Sequence, residues 1–178
     1  MNLVATASQT VGPYFHIGMD RHYVTDLAGH AADGKVVVRG RVLDGDAKPV
    51  SDALIELWQA GPDGKFGQPG FAGFGRVATD GDGAFRFVTL KPGGVPGPDG
   101  ALQAPHIAVA VFMRGLLKQL VSRIYFPDET GNARDAVLAL VPAERRATLI
   151  ARKTEDGALE WNVILQGADE TVFFDCWW

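Results

Sequence analysis

The chain has 178 residues, 47% of them hydrophobic and 21% charged, with a formal net charge of −4. That is enough apolar material to bury one ordinary core and too little charge bias for a disordered chain. The acidic balance argues against nucleic acid as a main partner, because phosphate recognition needs a basic patch. The single cysteine, Cys176, excludes an intramolecular disulfide. The N-terminus MNLVATASQT lacks the basic start and long apolar core of a secretory signal, and no apolar run approaches the ~20 residues that span a bilayer. A cytoplasmic location is the expectation.

Residues 1–34 are expected to form an extended N-terminal arm, and residues 35–178 a single β-sandwich domain with long loops. In the arm, Gly12-Pro13 is rigid and Asp20 to Gly34 shows no strand period. His16, His22 and His30 are spaced by six and eight residues, which suits neither one helical face nor one strand face. They read as scattered polar residues and not as a metal site. The apolar arm residues Val11, Tyr14, Phe15 and Ile17 need a surface to pack on, either their own sandwich or a neighbouring chain.

Beyond the arm, short apolar runs are punctuated by 22 glycines and 10 prolines, which favours strands over helices. Val36 to Leu43 alternates, with Val38, Gly40 and Val42 on one face and Arg39 and Arg41 on the other. Ala53 to Gln59 follows as the next strand. Thr79-Asp80-Gly81-Asp82-Gly83 predicts a hairpin turn, since Asp-Gly pairs supply the positive φ that tight turns need. The spacing of Asp80 and Asp82 faintly suggests a calcium loop, but the downstream ligands are absent and a turn is the reading. His106 to Met113 and Gln119 to Phe126 are core strands. Pro142 to Ala147 predicts one short helix with proline near its start. Leu159 to Gln166 and Thr171 to Phe174 are expected to close the sheet. Arg145-Arg146 with Arg152-Lys153 is interrupted by apolar residues and reads as a solvated face. The C-terminal aromatics, Phe173 to Trp178, are expected at an interface or against the sheet.

A succession of motifs runs along nearly the whole chain. It comprises SQTVGPYFHIG (Ser8 to Gly18), a G-x-V-x-D-G strand (Gly40 to Gly45), LIELWQA (Leu54 to Ala60) and FGRVATDGDGAFRF (Phe74 to Phe87). LKPG (Leu90 to Gly93), APHI (Ala104 to Ile107) and RIYFPDE (Arg123 to Glu129) follow. Their joint order resembles the protocatechuate-cleaving subunits of the intradiol ring-cleavage dioxygenase family. The resemblance implies an all-β intradiol dioxygenase sandwich and a large αβ hetero-oligomer. Its homologous β subunit alone would carry non-haem ferric iron. The assembled enzyme would cleave protocatechuate with O2 to 3-carboxy-cis,cis-muconate.

In that family two tyrosinates and two histidines hold the iron, the histidines as an H-x-H on one strand. Here His106 fits the first position and Ala108 occupies the second. Gly94-Val95 stands where one tyrosine should follow the K-P-G turn, and Gly61 to Gly73 contains Phe66 and Phe71 but no tyrosine. Gln103 stands where the catalytic subunit has an arginine. The resemblance therefore implies an α subunit, with no metal ligand and no catalytic residue of its own. A lone His106 on an apolar strand reads as a hydrogen-bonded core residue. Carried over by motif position, Thr10, Gly12, Pro13 and Tyr14 of the arm would line the partner's substrate cavity. So would Arg114 of the F-x-R-G turn. A glycine-proline wall, an aromatic ring and a cation suit a benzoate. Two rival readings are a transthyretin-like β-sandwich binding module and a stand-alone catechol dioxygenase. The SQTVGPY arm speaks against the first. The second suffers from too few tyrosines, namely Tyr14, Tyr23 and Tyr125.

Overall fold

The computed structural model describes residues 4–31, 33–97 and 100–175. The alternating run near residue 40 forms β1 (Lys35–Leu43), with Val38 and Val42 fully buried and Arg41 exposed. β2 (Leu54–Trp58), β3 (Phe74–Ala78) and β4 (Ala84–Leu90) follow it. A small ribbon pairs β5 (Val95–Pro96) with β6 (Leu102–Gln103). β7 (His106–Phe112) and β8 (Leu120–Tyr125) are the long strands of the second half. β9 (Arg152–Lys153), β10 (Leu159–Glu160) and β11 (Val163–Ile164) are short.

Two sheets face each other. One is built around β1, which pairs antiparallel with β4 on one edge and parallel with β10 and then β11 on the other. The other is fully antiparallel in the order β3-β2-β7-β8. Period two sends Ile55, Leu57, Ile107, Val109, Val111 and Ile124 inward, where they meet Val38, Val42, Phe85 and Phe87 in one core. The all-β sandwich expected from the sequence is the observed architecture. Among the described residues, no helix is long and apolar enough to cross a membrane.

Several local expectations fail for identifiable reasons. The Thr79–Gly83 segment does turn: the Asp80 carboxylate accepts N–H bonds from Asp82 and Ala84 at 2.9 and 2.8 Å, and Gly83 has φ 69°. It is not a hairpin, because β3 and β4 belong to different sheets and the turn carries the chain across the sandwich. The single strand expected over Leu159 to Gln166 is broken between β10 and β11. There the Asn162 side chain accepts from the Arg41 N–H at 2.9 Å, taking the place of a backbone carbonyl. Thr171 to Phe174 contributes only an isolated bridge, Val121 with Phe174. Phe173 packs on the main core and Phe174 on a smaller cluster around Tyr125, while Trp177 and Trp178 lie outside the described residues.

The arm is not extended throughout. Residues Pro13–Met19 form helix α1, with Gly12 at the N-cap and Pro13 in the first turn, and Asp20–His22 continues as a 3-10 turn. Proline suits that position because its missing N–H would have no helical partner there. The helix expected at Pro142 to Ala147 is a 3-10 segment, Ala143–Leu149. It is preceded by a 3-10 turn, Thr130–Arg134, and by helix α2, Ala136–Leu140, so the one short helix of the sequence reading becomes several. α2 has the sequence AVLAL, with no polar face to mark it.

Gly40 is the tightest point of the first sheet. A Cβ there would lie 1.7 Å from the Trp161 carbonyl oxygen and 2.9 Å from the Phe85 ring. Neither neighbour can retreat, since both belong to the buried core. Gly40→Ala is expected to cost about 3 kcal/mol or more in urea denaturation. A loss below about 1 kcal/mol would show that β10 and β11 can slide along β1.

Candidate functional site

Two groups of residues bear on function, and both lie on the β3-β2-β7-β8 sheet. At one end the arm meets the turn after β7. The Thr10 hydroxyl accepts a hydrogen bond from the Gly115 N–H at 2.7 Å, and the Phe15 and Phe112 rings lie 5.7 Å apart. Further along, Val24 bridges to Arg76, and Leu27 enters the core over Gly75, whose missing side chain makes the room. Gln9 and Val11 of the arm, with Phe112, Met113 and residues 116–119, enclose a small cleft of about 140 Å³. Tyr14 projects from α1 and is 83% exposed, and Gly12 and Pro13 are exposed beside it. Arg114, with 70% of its side chain exposed, pairs through Nε with the Asp52 carboxylate. Thr10 and the Arg114 turn thus share one end of the sheet, and Asp52 is a contact the sequence reading missed.

The second group surrounds His106. Strand pairing places His106 opposite Tyr125, and Ala108 between Trp58 and Arg123. His106 Nδ1 lies 2.8 Å from the Ala104 carbonyl oxygen, so that nitrogen carries the hydrogen. Its ring is 5.7 Å from that of Tyr125. The Tyr125 hydroxyl donates to Asp135 Oδ1 at 3.0 Å. Asp135, only 1% exposed, also accepts from the Ala104 and Leu138 N–H groups, each at 2.8 Å. Arg123 Nη1 donates to Gln103 Oε1 at 2.8 Å and reaches the Tyr125 hydroxyl at 3.4 Å.

The electrostatics follow from this packing. Burial, reinforced by the Arg123 guanidinium, pushes the His106 pKa below its usual value. Burial pushes the Tyr125 phenol up to about 12, against an opposing pull from Arg123. These are poor surroundings for ferric iron. A trivalent ion needs anionic oxygens and free imidazole nitrogens. The phenol here is held neutral, a methyl group stands at position 108, and a fixed cation occupies the neighbourhood. The residues present do not fit the metal. Among the described residues, no group of three or more His, Cys, Asp or Glu could hold one.

Sequence reasoning found His106, Ala108 and Gln103 but missed Arg123, Asp135 and the position of Tyr125 beside the histidine. The signal was available in one respect. A short connection between β7 and β8 fixes an antiparallel register, and counting along it puts Tyr125 opposite His106. Asp135 gives a weaker local clue as an N-cap three residues before the buried Leu138.

This fold and sheet face define a class. A sequence model of the dioxygenase family matches residues 11–167, and the chain belongs to that family, the intradiol ring-cleaving dioxygenases. Its members generally depend on non-haem iron. Over 97% of its length this chain is 45% identical to the protocatechuate 3,4-dioxygenase alpha chain of Burkholderia cepacia, covering 98% of that protein. The beta chain from the same organism is 35% identical over 80% of this chain and 69% of its own length. Among solved structures, the dioxygenase domain of a dioxygenase carbohydrate-binding protein fusion from Streptomyces sp. SirexAA-E superposes with a TM-score of 0.63. It is 28% identical, over 80% of this chain and 85% of that one.

The raised Tyr125 pKa makes a stability prediction with a defined sign. The native state holds the phenolic proton more tightly than the unfolded chain. The stability this contributes is therefore complete below pH 10 and drains as pH rises from 10 towards about 12. Tyr125→Phe keeps the ring and removes the proton. The difference in unfolding free energy between wild type and variant should shrink across that alkaline window. A difference that stays flat to pH 12 would mean the hydroxyl is not buried as described.

Proposed function

We propose that this chain is the iron-free alpha subunit of a protocatechuate 3,4-dioxygenase, completing the substrate pocket of a homologous iron-bearing beta subunit. The observation that carries the reading is the coincidence of two facts. The chain is similar from end to end to an alpha chain, and the sheet face around His106 is occupied by Arg123, Gln103 and a neutral Tyr125. Ferric iron held by the partner supplies the ring-opening chemistry with O2. This chain contributes binding and orientation.

Within that assembly, residues 1–34 act as the arm that reaches the partner. Gly12 and Pro13 form a rigid stretch of wall, and the exposed Tyr14 ring packs against the bound aromatic acid. Thr10 keeps the arm anchored to the Arg114 turn through Gly115. Arg114 pairs with Asp52 in the free chain, but an exposed pair of this kind is worth at most ~1 kcal/mol. Its guanidinium is thus available to a substrate carboxylate, which it can grip through two parallel hydrogen bonds. Holding the ring and its carboxylate in one orientation is where such a subunit affects rate.

Three outcomes are expected. Purified alone, the chain should hold no stoichiometric iron and lack a visible tyrosinate-to-iron band, and one chelator-resistant iron per chain would overturn the reading. Co-expressed with a homologue carrying H-x-H and two tyrosines, it should form a tight heteromer on size-exclusion chromatography. A monomer that ignores such a partner would count against it. In the heteromer, Arg114→Ala should lower kcat/KM for protocatechuate roughly 10–150-fold, the effect of losing ~1.5–3 kcal/mol of charge-assisted contact, with iron content intact. Unsubstituted catechol should lose much less. Equal losses for both substrates would assign Arg114 to the fold or the interface instead.

A further inference from the structure

A second concavity lies on the other sheet. It is a groove of about 950 Å³ over the outer face of β1 and β4, walled by Ala47, Pro49 and Val77. Three guanidinium groups line it: Arg39, Arg41 and Arg86. Their arrangement follows from the ladder. Arg39 is directly opposite Arg86 across the antiparallel pair, and Arg41 is two residues along the same strand face. Like charges directly opposite on a sheet destabilise it, and here Asp156 balances Arg39 while Arg86 has no such counter-charge.

The acids nearby are already engaged. Asp156 takes both bonds of Arg39, at 2.9 and 3.2 Å. Glu160, which lines the groove, is bound by Arg152 at 2.8 Å. The Asp80 carboxylate, also in the groove, accepts backbone N–H groups of its own turn. Among the described residues, neither the Arg41 nor the Arg86 guanidinium has an acidic partner. In a chain of net charge −4, two unpaired arginines converge on a concave surface lined also by Leu43 and Ala84, beside a third, Arg39, that Asp156 already holds.

We infer that this groove binds a compact organic polycarboxylate, with Arg41 and Arg86 each taking one carboxylate. Guanidinium groups recognise carboxylates through paired N–H bonds, and several carboxylates on one small body can meet arginines one strand step apart. The size of the groove suits such a ligand. Opening the ring of a dihydroxybenzoate between its hydroxyl-bearing carbons adds two carboxylates to the one present. The product of the proposed reaction therefore belongs to this ligand class. That link rests on the proposed function, whereas binding in the groove does not.

Citrate serves as the probe, titrated calorimetrically into this chain alone and into the heteromer at ~0.15 M salt, where long-range attraction between exposed charges is largely screened and direct contacts are not. One citrate per copy of this chain is expected, with benzoate, which has one carboxylate, at least about tenfold weaker. The double variant Arg41→Gln/Arg86→Gln should lose at least about tenfold in citrate affinity. Both residues are exposed, so the fold should be retained, and an unchanged Tm and ring-cleaving activity would verify it. Arg134→Gln, an exposed charge outside the groove, should leave citrate binding within about twofold. Equal losses in that control would reduce the effect to net charge and overturn the inference. So would inorganic phosphate binding as tightly as citrate, or citrate binding to the isolated chain but not to the heteromer. Failure of the citrate arm with intact protocatechuate turnover would sink the groove alone. Citrate binding without turnover would sink only the proposed function.

Discussion

The buried carboxylate of Asp135 ties three otherwise separate pieces of chain to one point. It receives the Ala104 N–H where the chain enters β7, the Leu138 N–H at the start of α2, and the Tyr125 hydroxyl at the end of β8. Burying a carboxylate costs several kcal/mol unless its lone pairs are satisfied, and here three donors converge on it. Satisfied in this way, it fixes the edge of the sheet that carries His106. Burial keeps the Tyr125 phenol protonated, and the hydrogen bond it donates to Asp135 adds to that.

From that constraint the character of the His106 neighbourhood follows. Members of this family generally depend on non-haem iron. In this chain the face around His106 is consolidated by organic groups. Arg123 spans Gln103 and Tyr125, the imidazole of His106 turns its Nδ1 hydrogen to the Ala104 carbonyl, and position 108 carries only a methyl group. Arg123 places a cation on this face from the adjacent strand. That positive charge is a side chain anchored to its neighbours and not an exchangeable ion.

Legibility in the sequence tracks the range of the interaction. The period-two rows of β1 and β7 were readable, because burial on one face dictates alternation and nothing distant is needed to see it. The Asp80 turn was readable as a turn but not as a crossover, since turn chemistry fixes how the chain bends and not which sheet the next strand joins. The break after β10 depends on the Asn162 amide finding the Arg41 N–H, more than a hundred residues away. No local pattern announces that. The helical stretch of the arm is a different kind of miss. Gly12-Pro13 was taken as rigid extended chain, although a proline after a glycine equally opens a helix, and Tyr14 with Ile17 already carried the i, i+3 spacing. At the site, the histidine and the absent ligands were visible residue by residue. The partners that replace the ligands were hidden in cross-strand register.

The division of labour between the two sheets has a physical basis. Both inner faces are committed to the core, so only outer faces and strand-end turns are free to carry chemistry. The outer face of the β3-β2-β7-β8 sheet is largely spoken for by the arm at one end and by the Asp135 and Arg123 network at the other. The outer face of β1 and β4 has no such cover, and it carries three arginines in a groove. Strand pairing, not sequence proximity, brings Arg86 to Arg39, whose charge Asp156 already balances. That leaves Arg86 and the neighbouring Arg41 on one face with no acidic partner among the described residues. A chain that needed only a solvated surface there could place lysines and glutamates alternately at no cost. Holding two unpaired guanidinium groups close together on a rigid ladder is a structural expense that an anionic occupant would offset.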